Sequence, residues 1–260
     1  MYDLDFISEE DLINHVTETI RQYGDKLKPY DLKKFNSNLI DPIKLIFDKN
    51  VYQTTWEGIV ANEIFRQRDK SNNNAIGYFH QNIFSYFSGC IVPREGWDVI
   101  FNDESGIDID GNSVKKIYVE MKNKHNTMNS ASAGKTYIKM QDQLLRDDDC
   151  ACLLVEAIAA KSQNIKWETT IDKRKVSHKL IRRVSMDKFY EIVTGEKEAF
   201  YKLCMVLPGI VKTVVDNSTD LQVPQDSVFQ ELKAMSLKKD ISIELSVYLL
   251  GFRTYEGFMS

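Results

Sequence analysis

The sequence predicts an α/β fold in which a mixed central sheet is flanked by helices, with extra helical segments at both ends of the chain. Segments with the apolar spacing of a helix alternate with β-branched runs of strand length. In the middle of the chain their order is helix, two antiparallel strands, helix and strand. This order predicts a sheet with both antiparallel and parallel neighbours, covered by helices.

The individual elements follow from apolar spacing and from turn residues. The predicted helices are 9–23, 42–48, 54–68, 77–87 (ending at Gly89), 133–146, 189–194 and 199–207. The predicted strands are 97–101, 114–122, 150–159 (buried on both faces) and a closing strand or strand pair at 241–255. The predicted loops are 69–74, where three asparagines follow one another, and 215–225.

Composition favours one domain over residues 1–260 in the cytoplasm. The 260 residues are 43% apolar, which is enough for a full core. The chain has no run approaching 18 apolar residues and no signal-peptide pattern, so no membrane partner is expected. Its four cysteines include no CxxC pair, and we expect reduced, mostly buried thiols.

The net charge of −4 argues against a DNA-binding surface that covers the whole protein. A local patch exists, because residues 166–183 carry seven basic side chains against two acidic ones. A basic run of this kind is more often a solvated face than a binding surface. Only a neighbouring nuclease-like site favours DNA contact here.

The run Ile117–Lys122 is the strongest functional signal. Side chains alternate along a strand, so Ile117, Val119 and Met121 face one way and Tyr118, Glu120 and Lys122 the other. Glu120 and Lys122 then lie roughly 7 Å apart on one face. A carboxylate and a lysine at this spacing suit a hard cation and phosphodiester hydrolysis.

The acid-x-Lys pattern alone is weak, because it occurs three times in the chain. The copies that begin at Asp31 and Glu231 lie in polar, helix-like segments, whereas Glu120 lies in a β-rich run. The alternative interpretation of Glu120 and Lys122 is an ordinary solvated strand face.

A predicted hairpin brings a second carboxylate to this run. Asp110-Gly111 between two β-like runs indicates a two-residue turn. Such a turn sets Asp98 opposite Asn123 and next to Lys122, and a bulge near Gly106 could shift the register by a residue or two. The alternative for Asp98 is a local turn at the start of the strand.

Asp98 followed by Glu120-Met121-Lys122, a helix and an apolar strand resembles the PD-(D/E)xK nuclease superfamily. Residues 119–129, read Val-Glu-Met-Lys-Asn-Lys-His-Asn-Thr-Met-Asn, are similar to the type II restriction endonucleases that cut GGNCC-type sites. The resemblance covers about residues 50–160. One departure is that Trp97-Asp98 replaces the superfamily's Pro-Asp pair, with Pro93 four residues earlier.

The resemblance implies a restriction-endonuclease-like core at about 50–160, with 161–260 supplying DNA recognition, dimerisation and closing elements. It implies a homodimer that hydrolyses double-stranded DNA with Mg²⁺ and leaves 5′-phosphate and 3′-hydroxyl ends. Asp98, Glu120 and the Met121 carbonyl would hold Mg²⁺, while Lys122 would orient the attacking water. The candidate DNA-contacting residues are Asn123, Lys124, His125, Asn126, Asn129, Ser130, Lys135, Arg182 and Arg183.

Glu63 and Gln81 lie on upstream predicted helices, where some superfamily members place an additional ligand or a supporting residue. Ordinary surface polarity is the alternative for both. Two other functions remain open from the sequence. One is a repair or recombination nuclease that recognises DNA structure, and the other is a non-catalytic DNA-binding domain.

Overall fold

The computed structural model describes residues 4–218, 221 and 224–252, with only the backbone of Asp25 and Lys26. Its chain divides into two compact units. Unit 1 comprises Met1–Ile20 and Ile76–Asn217, and unit 2 comprises Arg21–Ala75 and Ser218–Ser260. The expectation of one domain over residues 1–260 stays a prediction.

Helices and strands make up most of the described residues. The helices are α1 (Glu9–Lys26), α2 (Leu32–Asn36), α3 (Pro42–Val51), α4 (Trp56–Asn82), α5 (Ser130–Arg146), α6 (Met186–Thr194), α7 (Ala199–Asp216), α8 (Val228–Lys239) and α9 (Ile243–Phe252). A 3₁₀ turn at Ile83–Tyr86 follows α4. The strands are β1 (Cys90–Ile91), β2 (Val99–Ile109), β3 (Asn112–Lys124), β4 (Cys150–Ile158), β5 (Asn164–Ile171) and β6 (Arg174–Ser185).

In the part of unit 1 that the structure describes, six strands form one sheet in the order β1-β2-β3-β4-β6-β5. The pairs β1/β2, β2/β3 and β5/β6 are antiparallel. The pairs β3/β4 and β4/β6 are parallel, and α5 connects β3 to β4. The mixed sheet flanked by helices is therefore confirmed.

The two faces of β3 have different surroundings, as its alternation predicted. Ile117 and Val119 are fully buried in the large core, which also includes residues of the segments around α1 and α6. Tyr118 packs instead with Tyr137 and Met140 of α5 in a smaller core on the opposite face. Glu120 and Lys122 share the face of Tyr118, so they lie on the α5 side of the sheet.

β4 is the best-buried strand, since every residue from Cys150 to Val155 has no exposed surface. Burial of both faces is typical of a strand between two parallel neighbours covered by helices. The predicted strand at 150–159 is confirmed over 150–158 and its burial over 150–156, whereas Ile158 is 54% exposed. No helix among the described residues is long and apolar enough to cross a membrane.

Unit 2 is helical and has its own core. Trp56, Ile59 and Leu232 are among the side chains buried there. α3 begins where Asp41 accepts hydrogen bonds from the Ile43 and Lys44 amides, with a proline at the first helical turn.

The loop predicted at 69–74 is wrong, because these residues lie inside α4. The low helix propensity of asparagine is a weak effect, and within the helix Asn73 donates to Asp69 one turn earlier. The helix predicted at 77–87 is the end of α4 and the 3₁₀ turn.

The closing strand predicted at 241–255 is also wrong, because Ile243–Phe252 is the helix α9. Val247 and Leu250 are buried three residues apart in the core of unit 2, which is helical spacing. Residues 253–255 lie outside the described residues. The loop predicted at 215–225 starts too early, since α7 ends at Asp216; residues 219, 220, 222 and 223 lie outside the described residues.

Candidate active site

The β2–β3 hairpin has the predicted turn but a different register beyond it. Asp110 and Gly111 both have positive φ, and Ile109 pairs with Asn112 across them. The register then shifts between Asn102 and Ile107, a segment that includes Gly106 at φ 95°. The bulge leaves the two arms of the hairpin in different registers.

The shift moves Asp98 along β3. Val99 pairs with Val119, three residues from the partner that the turn alone would give it. The backbone N–H of Asp98 donates to the Val119 carbonyl at 3.0 Å. Asp98 therefore lies beside Glu120 and not opposite Asn123. The register shift caused by the bulge is larger than the predicted shift of a residue or two.

Asp98 is held by hydrogen bonds to its carboxylate and to its backbone. Its Oδ2 accepts from the Met121 backbone N–H at 2.6 Å. Gln81, near the end of α4, donates to the Asp98 carbonyl oxygen at 3.2 Å. Gln81 therefore contacts the backbone of Asp98, which fits the supporting role suggested for it from the sequence.

Both carboxylate oxygens of Glu120 accept hydrogen bonds from lysines. Lys122 donates to Oε1 at 2.8 Å, and Lys139 donates to Oε2 at 2.7 Å. Lys139 belongs to α5 and was not among the site residues predicted from the sequence. A usable signal existed, because Lys139 follows the predicted Lys135 by four residues and so lies near it along one face of the helix.

The two carboxylates differ in their protonation equilibria. Burial raises the pKa of Asp98 and the charge of Glu120 raises it further, which outweighs the hydrogen bond from the Met121 amide. Burial also raises the pKa of Glu120, but the hydrogen bonds from Lys122 and Lys139 lower it to below its ordinary value. The two lysines therefore keep Glu120 ionised.

The donor set suits a hard cation. The N–H and C=O of a strand residue point to the same edge, so the Met121 carbonyl faces the side on which its amide meets Asp98. Two carboxylates and a carbonyl are oxygen ligands that leave room for water, as Mg²⁺ requires. Within the described ranges, no group of three or more His, Cys, Asp and Glu side chains forms a metal cluster.

Glu63 belongs to unit 2 and is buried, not a surface residue of its helix. Its carboxylate accepts hydrogen bonds from Arg66 and Gln67. Burial raises the pKa of Glu63, but these hydrogen bonds outweigh that effect and lower it. Both oxygens of Glu63 therefore have partners inside unit 2.

The other candidate residues continue from the end of β3. Asn123 and Lys124 end the strand, and His125 and Asn126 form an exposed turn. Asn129 caps α5 by accepting from the Ser132 amide at 2.9 Å, and Ser130 begins the helix. Lys135 is exposed on α5.

A cleft of about 310 Å³ brings several of these residues together. Its lining includes four candidate residues, His125, Asn129, Ser130 and Arg183. Trp167 and Thr170 of β5 also line it. The polar turn after β3 and the basic β5–β6 hairpin, which were separate signals in the sequence, thus share one concave surface.

The two arginines of β6 have different environments. Arg182 is 4% exposed, and its guanidinium contacts Asp110 at 2.8 Å and Asn164 at 2.7 and 3.0 Å. Arg183 donates to Glu156 and to the His125 carbonyl, and it lines the cleft. In this structure Arg182 links the β5–β6 hairpin to the turn between β2 and β3, whereas Arg183 reaches the cleft. DNA contact by Arg183 stays a prediction, and the burial of Arg182 argues against such a contact.

Comparisons with known proteins show which family this chain belongs to. The sequence profile of the family described as Eco47II restriction endonuclease matches residues 4–216. The type II restriction enzyme Sau96I of Staphylococcus aureus is 31% identical over 214 residues, which cover 79% of this chain and 78% of that enzyme. The type II restriction enzyme Eco47II of Escherichia coli is 30% identical over 225 residues, which cover 82% of this chain and 88% of that enzyme. With its profile match and both relatives extending over most of its length, the chain belongs to the Eco47II restriction endonuclease family of type II restriction enzymes.

Proposed function

We propose that this protein is a Mg²⁺-dependent type II restriction endonuclease of the PD-(D/E)xK kind. It hydrolyses double-stranded DNA at a short palindromic site of the GGNCC type and leaves 5′-phosphate and 3′-hydroxyl ends. The observation that carries the proposal is the convergence of Asp98, Glu120 and Lys122 where β2 begins and β3 nears its end. Family membership supports the DNA substrate.

Each residue of the site has a task in this proposal. Asp98, Glu120 and the Met121 carbonyl would hold Mg²⁺, which would polarise the phosphodiester and acidify a water. Lys122 orients the attacking water and stabilises the negative charge that grows on the phosphorane. The Met121 amide and Gln81 keep Asp98 in place through hydrogen bonds to its side chain and backbone.

DNA contact is proposed for the polar turn after β3, the start of α5 and the cleft. Amide, hydroxyl and basic side chains are the groups that bond to phosphates and to base edges. The residues proposed are Asn123, Lys124, His125, Asn126, Asn129, Ser130, Lys135 and Arg183. Arg182 is left out, because it is 4% exposed and its guanidinium is bound to Asp110 and Asn164. A homodimer is proposed because a palindromic site matches a two-fold axis, so that each subunit cuts one strand.

Plasmid cleavage followed by sequencing of the ends tests the proposal. The wild-type protein with Mg²⁺ should cut at discrete sites that share one short palindrome. Glu120→Ala and Lys122→Ala should each reduce the rate by at least about 10²-fold, the order of effect found when a group that stabilises a transition state is removed. Chelation of the metal should stop cleavage of all variants.

Glu104→Ala and Lys115→Ala provide a matched control. These residues form an exposed acid–lysine pair at 3.3 Å on the same hairpin, and both variants should cut at the wild-type rate. Cleavage without a fixed sequence would favour a structure-specific nuclease. Uncut DNA with every divalent metal would contradict any nuclease function.

A further inference from the structure

We propose that the Lys139 ammonium group competes with the metal ion for Glu120. It binds one carboxylate oxygen of Glu120 and must be displaced from that oxygen when a metal ion binds. The inference rests on the proposed Mg²⁺ site and adds a residue outside the Asp98, Glu120 and Lys122 set. It makes Lys139 a positioning residue that sets how much metal the enzyme needs.

Three contacts fix the Lys139 ammonium group. It donates to Glu120 Oε2 at 2.7 Å and to the Gly96 carbonyl oxygen, and it lies 4.0 Å from the centroid of the Trp97 ring. Its side chain is 37% exposed, so the contact with Glu120 is partly shielded from solvent. An ammonium group with two oxygen acceptors and an aromatic face has a well-defined position.

These contacts connect the two carboxylate-bearing segments. Glu120 is on β3, whereas Gly96 and Trp97 immediately precede Asp98 and the start of β2. α5 therefore holds both ends of the proposed metal site through one side chain. Lys122 cannot do this, because its ion pair is with Glu120 of its own strand, two residues away.

Competition with a metal ion follows from the geometry at Glu120. Each carboxylate oxygen already accepts one ammonium group. A divalent cation needs at least one of these oxygens, and like charges a few ångströms apart repel each other. Lys139 is the partner that can give up its bond to Glu120, since the Gly96 carbonyl and the Trp97 face offer its ammonium group two other contacts.

The test measures metal binding directly. Free Mn²⁺ is measured by electron paramagnetic resonance as the full-length protein is titrated, without DNA. Lys139→Met should bind Mn²⁺ about tenfold more tightly than the wild type, equivalent to about 1.4 kcal/mol. The Mg²⁺ concentration for half-maximal plasmid cleavage should fall by a similar factor.

Two variants control for charge and for folding. Lys139→Arg keeps the positive charge and should stay within about threefold of the wild-type affinity. Lys212→Met removes a lysine that pairs with Asp216 on α7, and it should change neither measurement. If Lys139→Met does not fold, Lys139→Gln removes the same charge and should show the same tightening.

Unchanged or weaker Mn²⁺ binding by the charge-removing variants would overturn the inference, whereas cleavage by the wild type would leave the proposed function standing. A wild-type protein that neither binds metal nor cuts DNA would refute both. A purely structural role for Lys139 would lower the melting temperature without tightening metal binding, and that result also counts against the inference.

Discussion

Replacing Arg183 by methionine should destabilise unit 1, because it leaves the buried carboxylate of Glu156 without its ion-pair partner. The Glu156 side chain is 2% exposed, and its Oε1 accepts two hydrogen bonds from Arg183 at 2.5 and 2.9 Å. Its Oε2 is buried without a hydrogen-bond partner among the described residues. Without Arg183, Oε1 would lose its charge-assisted partner, and neither oxygen of Glu156 would then accept a hydrogen bond from a described residue.

The size of the effect follows from this burial. Breaking a buried ion pair by removing one partner costs about 3–5 kcal/mol. Because Arg183 is itself 31% exposed, we expect the lower end, about 3 kcal/mol. At about 2–4 °C per kcal/mol for a chain of this size, the melting temperature should fall by about 6–12 °C.

Urea unfolding followed by circular dichroism measures the loss, and a double variant tests its cause. Arg183→Met with Glu156→Met replaces both charges by apolar groups of similar length. It should recover about 2 kcal/mol of the lost unfolding free energy, since an apolar pair leaves no buried charge without a partner. A loss below about 1 kcal/mol for Arg183→Met, or no recovery in the double variant, would refute this reasoning.

The same double variant separates structural support from DNA contact. Arg183 also donates to the His125 carbonyl in the turn that follows β3. If Arg183 contacts DNA directly, the double variant should regain stability but still bind DNA weakly in Ca²⁺. Wild-type DNA binding by the stabilised double variant would assign Arg183 to support of the fold alone.

Two further predictions concern backbone conformation and pH. Gly89→Ala should destabilise the protein by about 2 kcal/mol or more, because Gly89 has φ +74° and a Cβ would lie 2.5 Å from the Asn102 carbonyl oxygen. As a control, Gly77→Ala, in open space on α4, should stabilise the protein by about 0.5–1 kcal/mol. Equal urea midpoints for the two variants would contradict this prediction. Burial raises the pKa of Asp226, but hydrogen bonds from Arg68 and the Tyr30 amide outweigh it and lower that pKa. The stability that Asp226 contributes is therefore present above its unfolded pKa of about 3.9 and is lost as pH falls through the lower folded pKa. Asp226→Asn should be less stable than the wild type at pH 6, and the difference should be smaller at pH 3. An equal difference at both pH values would show that the Asp226 carboxylate is not the cause.

The local features that the sequence predicted depend on short-range rules. Strand alternation placed Glu120 and Lys122 on one face, and the Asp110-Gly111 turn set the pairing of Ile109 with Asn112. These features hold because side-chain alternation and turn conformation depend on neighbouring residues only. The helices predicted at 54–68 and 77–87 form one helix, α4, because the low helix propensity of the residues between them is a weak effect. The final helix α9 was predicted as a strand, and the burial of Val247 and Leu250 at helical spacing outweighed that local preference.

By itself, the sequence determined the central strand, its turn, the carboxylate–lysine pair and the resemblance to restriction endonucleases. Only the tertiary structure decided that a bulge between Asn102 and Ile107 places Asp98 beside Glu120, and that α5 brings Lys139 to the same carboxylate. The physical reason is that a register shift and a helix-to-strand contact join residues far apart in the chain. No spacing rule within a single segment specifies such contacts; they are set when the sheet and its covering helix pack together.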